Sequence, residues 1–339
     1  MLFVNVLICS AIVLISYFFW NFYQKVFFIK RLDNVPGLKT LPLIGSFYHL
    51  LKNFEDFLEV LVNILQDYPS LCQVWIGSKL LILISSPDIA KLVLNSKNCV
   101  DKASLYKLVS PLFGMGLLTA PESVWNRIRT MTAPTFSSHM LQRFFNTFVE
   151  QSVALTDELE KVGLNENEIL YGDHIATCTL RIACDALMGV QLESNKNLLL
   201  LKPIERGKKI LLHRLRNIHL YFFDTVFNLS AMGREQKKLL NVFHSIVDEM
   251  IQKSKDKLIQ LDTTKDEEKQ THKTFFDIYM DASCKENFTQ EEIRDNISTL
   301  LMTGSDTITV TCTFVVFMLA NFPEIQVCIT YSKTTEFTS

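Results

Sequence analysis

The stretch Thr299 to Phe322, TLLMTGSDTITVTCTFVVFMLANF, limits the possible folds more than any other part of this chain. It reads as one long apolar helix with a polar notch, Gly304-Ser305-Asp306-Thr307, cut into its middle. An aspartate inside an apolar helix is costly unless something polar meets it. A neighbouring glycine lets another body approach the backbone closely. Leu300, Leu301 and Met302 before the notch, with Phe314, Val315 and Phe317 after it, predict a central helix buried along most of its circumference. Three arrangements satisfy the pattern. The acid and the alcohol can face a cavity, or the notch can be a kink in which Thr307 bonds back to the preceding turn. Alternatively, the uncharged run from Thr307 to Pro323 approaches the lower length limit of a membrane span. Asp306 at the edge of that run makes a span expensive.

The N-terminus carries the second constraint. No charge occurs between Met1 and Lys25, and Leu2 to Tyr23 is almost entirely apolar and aromatic, which matches the roughly 20 residues a bilayer requires. A cleaved signal peptide would have a basic start and a small-residue cleavage site, and neither is present. Lys25, Lys30 and Arg31 follow, so the positive-inside rule places the body on the cytosolic side. The net charge of −2 points to no nucleic-acid partner. None of the 8 cysteines forms a CxxC pair or shows metal-ligand spacing with histidine, so Cys178 and Cys184 read as reduced core thiols.

Along the chain, VPGLKTLPLIG (Val35 to Gly45) is a stiff, turned connection that cannot continue a helix. Phe54 to Tyr68 has helical spacing, and Leu71 to Ile84 predicts a β-hairpin turning at Gly77-Ser78-Lys79. Pro87 opens a helix through Leu94, capped by Ser86. Ser104 to Ser123 is rich in Pro and Gly, a composition common in loops that line sites. Trp125 begins a helix in which Trp125 and Arg129 share one face, where they can jointly approach an anion; a surface arginine beside a packed tryptophan has the same spacing. Two helices follow between Phe144 and Gly189, joined by Gly163 to Glu168, then an apolar helical pair over Leu211 to Asn228. Arg234 to Lys257 reads as an amphipathic helix and Lys253 to Lys273 as a solvated loop. Thr289 and Glu292 form a capping box ahead of the central helix.

Together these pieces resemble a microsomal cytochrome P-450 of the family-4 type, the branch of animal fatty-acid hydroxylases. The resemblance rests on the hinge VPGLKTLPLIG, on GLLTAPESVWNRIRTMTAPTF with its WxxxR pattern, and on CDALMGV, MGREQKKLLNVFHSIVDEMI, FFDIYMDAS and TGSDTITVT with LANFPEIQ, all in the family's order. It implies a mainly α fold with a small β-rich lobe and a haem-dependent monooxygenase of the endoplasmic-reticulum membrane. Its substrates would be fatty acids or other lipophilic molecules, and its electrons would come from NADPH through a flavoprotein reductase. By the same resemblance Trp125 and Arg129 hold a haem propionate, Gly304 admits the porphyrin face, and Asp306 and Thr307 relay protons towards the activated oxygen. Thr303 lies beside that face where the branch often has a glutamate esterified to the haem, so the haem here is expected to be non-covalent. Ile308 replaces the second threonine of the usual pair, and Glu122 stands where relatives often carry glycine.

The implied organisation is an anchor over 1–24, a basic, proline-rich hinge over 25–45, the N-terminal part of a haem-thiolate domain over 46–327 and a divergent tail over 328–339. The family's later ExxR helix and its cysteine-ligand loop FxxGxRxCxG do not occur in these residues. The string EEIR, Glu291 to Arg294, precedes the central helix and matches a different segment. No cysteine is therefore expected to ligate iron, and apolar faces of the central helix are expected to be uncovered. The alternative reading is a membrane-anchored remnant without catalysis, with at most an interaction role.

Overall fold

A computed structural model describes residues 35–41, 45–46, 48–51, 57–77, 79–163, 169–191, 194–217, 220–221, 223–264 and 274–336, with scattered positions between 5 and 23. Within the expected anchor, residues 15–20 are helical and exposed. Positions 1–4, 6–8, 10–11, 14, 21 and 24 of the anchor, together with Lys25, Lys30, Arg31 and residues 164–168 of the expected connection, lie outside the described residues. The chain divides into two compact units, Met1–Val100 and Asp101–Ser339.

The first unit is built on a hairpin. Strand β1 (Leu71–Ile76) pairs antiparallel with β2 (Lys79–Ile84), Leu71 opposite Ile84 and Ile76 opposite Lys79. Lys79 thus belongs to the second strand, and the turn is two residues long, the length whose twist suits a tight hairpin. Helix α1 (Phe57–Asp67) precedes the hairpin, and α2 (Pro87–Leu94) follows it with Pro at its first position, as the spacing predicts. Ser86 occupies the N-cap in extended conformation without a side-chain capping bond. The glycines of the proline-rich connection lie against β1. A Cβ on Gly37 would come within 2.2 Å of the Gln73 side chain, and one on Gly45 within 2.2 Å of the Trp75 carbonyl oxygen. Backbone approach this close excludes any side chain.

The second unit is helical. Its elements are α3 (Glu122–Thr132), α4 (Phe145–Gly163), α5 (Tyr171–Met188), α6 (Ser194–Arg216), α7 (Ala231–Thr264), α8 (Phe275–Lys285), α9 (Gln290–Asn321) and α10 (Pro323–Glu336). Helix α7 buries Phe243, Val247, Met250 and Ile251 at helical spacing. These meet Leu180, Cys184 and Met188 of α5, Phe276 and Tyr279 of α8, and Ile297 and Leu301 of α9 in one core. Helix α5 ends at Gly189, which takes the left-handed conformation (φ 61°) and donates its N–H to the Asp185 carbonyl.

Two expectations need correction. Residues 253–264 continue α7 as helix instead of forming a loop. Side chains of this run tie it to the preceding turn: Lys253 pairs with Glu249 at 3.0 Å, and Asp256 accepts the Gln252 amide at 2.8 Å, each pair four residues apart. The central helix α9 is not buried along most of its circumference. Phe314, Val315 and Phe317 are all more than half exposed. Helix α5 covers α9 in the opposite sense, with Thr179 against Thr309 and Gly172 against Thr313. Since α5 begins at Tyr171, its cover ends there. Beyond that point an apolar groove of about 640 Å³ runs between α9 and α10, lined by Val310, Phe314, Met318, Phe322 and Ile325. Among the described residues α9 is the one helix long and apolar enough to cross a membrane by length and composition. Its first turns, with Asp295, Asn296 and Ser298 buried, form the core of the second unit instead.

Candidate functional site

Helix α9 positions the candidate site, and its start is well specified. The Thr289 hydroxyl accepts the Glu292 N–H at 3.2 Å, and Glu292 Oε2 accepts the Thr289 N–H at 2.8 Å, the reciprocal pair the sequence predicts. From there α9 runs unbroken for 32 residues, about 48 Å at helical rise. The polar notch does not interrupt it.

The notch resolves into different faces. Thr299, Thr303, Thr307 and Thr311 stand four apart, and each hydroxyl donates to the carbonyl one turn earlier at 2.8 Å. With the hydroxyl proton so engaged, the oxygen of each exposed threonine is left outward as an acceptor. Thr303, Gly304, Thr307 and Ile308 are all exposed. A Cβ added at Gly304 would meet nothing within 4 Å. Asp306 turns elsewhere. Its Oδ1 accepts Lys208 Nζ of α6 at 2.5 Å, and it lines a cavity of about 190 Å³ with Asp173, Glu205, Lys208, Ser305 and Thr309. Successive residues on an α-helix point about 100° apart, so acid and alcohol occupy neighbouring faces, one towards α6 and one towards open space.

Helix α3 carries the predicted anion-holding pair. Trp125 is half-buried and Arg129 exposed, one turn apart. Arg127 belongs to another face, ion-paired with Glu292 and lying 4.2 Å over the Phe288 ring. Sequence reasoning missed Lys102, whose ammonium lies 5.6 Å from the Trp125 ring centre and 5.8 Å from that of Tyr106. Among the described residues neither Lys102 nor Arg129 has a carboxylate partner. One uncompensated cation thus lies over the indole and a second, Arg129, stands one turn further along the same helix; the four-residue spacing of Lys102 and Tyr106 was the local signal of the first.

The Pro/Gly-rich segment before α3 is pinned to α9. The N–H of Met115 donates to Asp295 Oδ2 at 2.8 Å, and that of Leu117 to Asn296 Oδ1 at 3.0 Å. Gly114 sits at φ 51°, where a Cβ would come 1.9 Å from the Asp295 carboxylate. Burial raises the Asp295 pKa, and the Met115 hydrogen bond opposes the rise. Glu292 shows the reverse balance. Burial pushes its pKa up, but hydrogen bonds from Thr289 and the charge of Arg127 bring it below the ordinary value.

The cysteines behave as core thiols where buried. Cys178 donates to the Gln151 carbonyl at 3.4 Å, and burial pushes the Cys184 thiol up to about 12. Among the described residues no group of three His, Cys, Asp or Glu side chains is placed to hold a metal ion.

With this geometry established, comparison with known proteins is decisive. The model of the cytochrome P450 family matches residues 35–330. The chain belongs to that family. Cytochrome P450 4c21 of Blattella germanica is 30% identical over 306 residues, 88% of this chain and 61% of the relative. Cytochrome P450 4V2 of Mus musculus is 26% identical over 310 residues, 88% of this chain and 59% of the relative. Cytochrome P450 4d1 of Drosophila melanogaster is 26% identical over 313 residues, 88% and 61% respectively. The chain therefore spans about three fifths of the length of the relatives it matches. The mainly α architecture with one small antiparallel sheet is the fold the family membership requires. Taken one by one, the chemistry of the residues present suits a haem. Gly304 offers open backbone where a flat ring can lie, and Lys102 and Arg129 offer unpaired cations to its carboxylates.

Proposed function

We propose that this chain supplies the haem-facing central helix and the propionate-holding helix of a monooxygenase that acts on fatty acids or other lipophilic small molecules. The carrying observation is the open backbone at Gly304, on the same exposed face as the outward Thr307 oxygen, in a chain matched by the family over 35–330. When bound, the haem would supply activation of O2 for insertion of one oxygen atom into a C–H bond. Arg129 and Lys102 would bind its carboxylates, Arg129 by a forked charge-assisted pair. Trp125 would shield that pair from water and add an indole N–H donor. Thr303 brings no carboxylate to the ring edge, which supports a non-covalent attachment. The Thr307 oxygen would accept a hydrogen bond from a water on the open face and so orient it, and Asp306, held by Lys208, would exchange protons with water in the polar cavity on the α6 side. Electrons from NADPH through a flavoprotein reductase, an endoplasmic-reticulum anchor over 1–24 and a body on the cytosolic side complete the reading.

A pyridine haemochrome assay on the purified chain tests it. Stoichiometric haem that is lost in Arg129→Met supports the assignment of the rim; a chain free of haem after expression with excess haem precursor sinks it. The exposed apolar half of α9 favours a second, non-enzymatic reading, in which the chain mainly pairs with other proteins. Under that reading the same assay returns no haem, while the chain co-sediments with a partner.

A further inference from the structure

Four residues on two successive turns of α9 reach out of the helix to the chain that carries the cationic rim. Asp295 and Asn296 accept the backbone N–H groups of Met115 and Leu117. Thr299 Oγ1 lies 2.3 Å from the position a Cβ on Gly116 would take, so the loop backbone rides directly on the helix. The Thr119 hydroxyl closes the loop by donating to the Gly114 carbonyl at 2.8 Å. Two residues further, Pro121 occupies the N-cap position of α3. The second attachment lies in the middle of α3, where Arg127 pairs with Glu292. Asn296 ties the two attachments together, since its amide N–H donates to the Glu292 carbonyl at 2.8 Å.

A rigid helix held at its entry and at its middle has both its position and its rotation fixed. Trp125 and Arg129 lie on α3, and Gly304 lies eight residues beyond Asn296 on α9, about 12 Å along the axis. One helix therefore bears both the open backbone at Gly304 and the fixings for the helix that carries Trp125 and Arg129. We propose that Glu292, Asp295 and Asn296 are positioning residues, a clamp that sets the spacing and rotation of the Trp125–Arg129 face relative to Gly304. The proposal rests on the reading of Arg129 as an anion-holding group. A clamp of this kind explains why a carboxylate is buried at position 295 despite the desolvation that opposes it. It also explains the two glycines, 114 and 116, that let the loop approach it.

The test titrates the full chain in detergent with iron protoporphyrin IX and with its dimethyl ester, reading tryptophan quenching. The ester keeps the ring and removes both charges. The wild-type chain is expected to prefer the diacid by about tenfold, as one or two charge-assisted pairs provide, and Arg129→Met is expected to remove most of that preference. Asp295→Ala/Asn296→Ala is expected to cut the preference to about twofold while ester affinity stays within a factor of two. Asp295→Asn, which still offers an oxygen to Met115, is expected to retain it. Amide exchange at Met115 and Leu117 checks that the clamp has opened in the double variant while Leu180 and Val247 stay protected. A preference unchanged in the double variant overturns the clamp, as does equal loss of both porphyrins, which marks a merely structural role. A wild-type chain without preference, or one insensitive to Arg129→Met, overturns the anion-holding reading itself and takes the clamp with it.

Discussion

The two halves of α9 are buried in the reverse order of their composition: the first, which carries Glu291, Glu292, Arg294 and Asp295, is packed into the core, and the second, uncharged beyond Asp306, is exposed. In the first half Ile297 and Leu301 are 0% and 2% exposed, packed against α5, α7 and α8. In the second half Phe314 and Phe317 are 62% and 58% exposed. Side-chain composition alone predicts the reverse of this burial. Among the described residues the supply of neighbours differs: α5 starts opposite Thr313, and α10 packs alongside the part of α9 beyond it. The polar residues follow the same division. Asp295 and Asn296 are buried and each is used to hold another segment, whereas Thr303, Thr307 and Thr311 spend their hydroxyl protons on their own helix. The notch lies at the junction of a structural half and an open one.

Substitutions that act unequally on the halves test this comparison. Ile297→Ala removes a fully buried side chain and is expected to cost about 3 kcal/mol in denaturant unfolding. Phe317→Ala is expected to change stability by less than about 0.5 kcal/mol, and equal costs at the two positions would break the comparison. Gly304→Ala is expected to stabilise the helix by about 1 kcal/mol, because the added methyl meets nothing and helix propensity rises. A loss of stability there would show that the open face is occupied in the folded chain. Asp295→Asn sharpens the comparison by pH. The wild-type carboxyl has a raised pKa in the fold, so the folded state binds more protons and wild-type stability falls as pH rises from about 4 through that pKa. The variant is expected to match wild type in acid and to melt higher at neutral pH; a difference independent of pH would count against a desolvated carboxyl. Lys208→Met breaks a half-exposed ion pair and is expected to cost at most about 1 kcal/mol, diminished by salt. Paired Phe314→Lys and Phe317→Glu substitutions should leave the melting temperature in place while lowering self-association in sedimentation velocity.

Much of the fold was legible because its signals are local. The hairpin, the proline that opens α2 and the Thr289–Glu292 box each depend on residues within a few positions of one another. The length of α7 was misjudged because a dense run of mixed charge suits a solvated helix as well as a loop. The spacing of Trp125 and Arg129 was legible, but Lys102 and Lys208 were not. Lys208 meets Asp306 across 98 residues, and Met115 meets Asp295 across 180. Neither pairing leaves a period or a motif in the chain.

The sequence by itself determined the elements, the family and the presence of an acid and an alcohol side by side in a long apolar helix, since these follow from side-chain chemistry read at short range. Only the tertiary structure decided which face each of them takes, which charges are neutralised and which half of α9 is covered. Those outcomes depend on where distant helices start and stop, and the free energy of burial exists only once the neighbours have arrived.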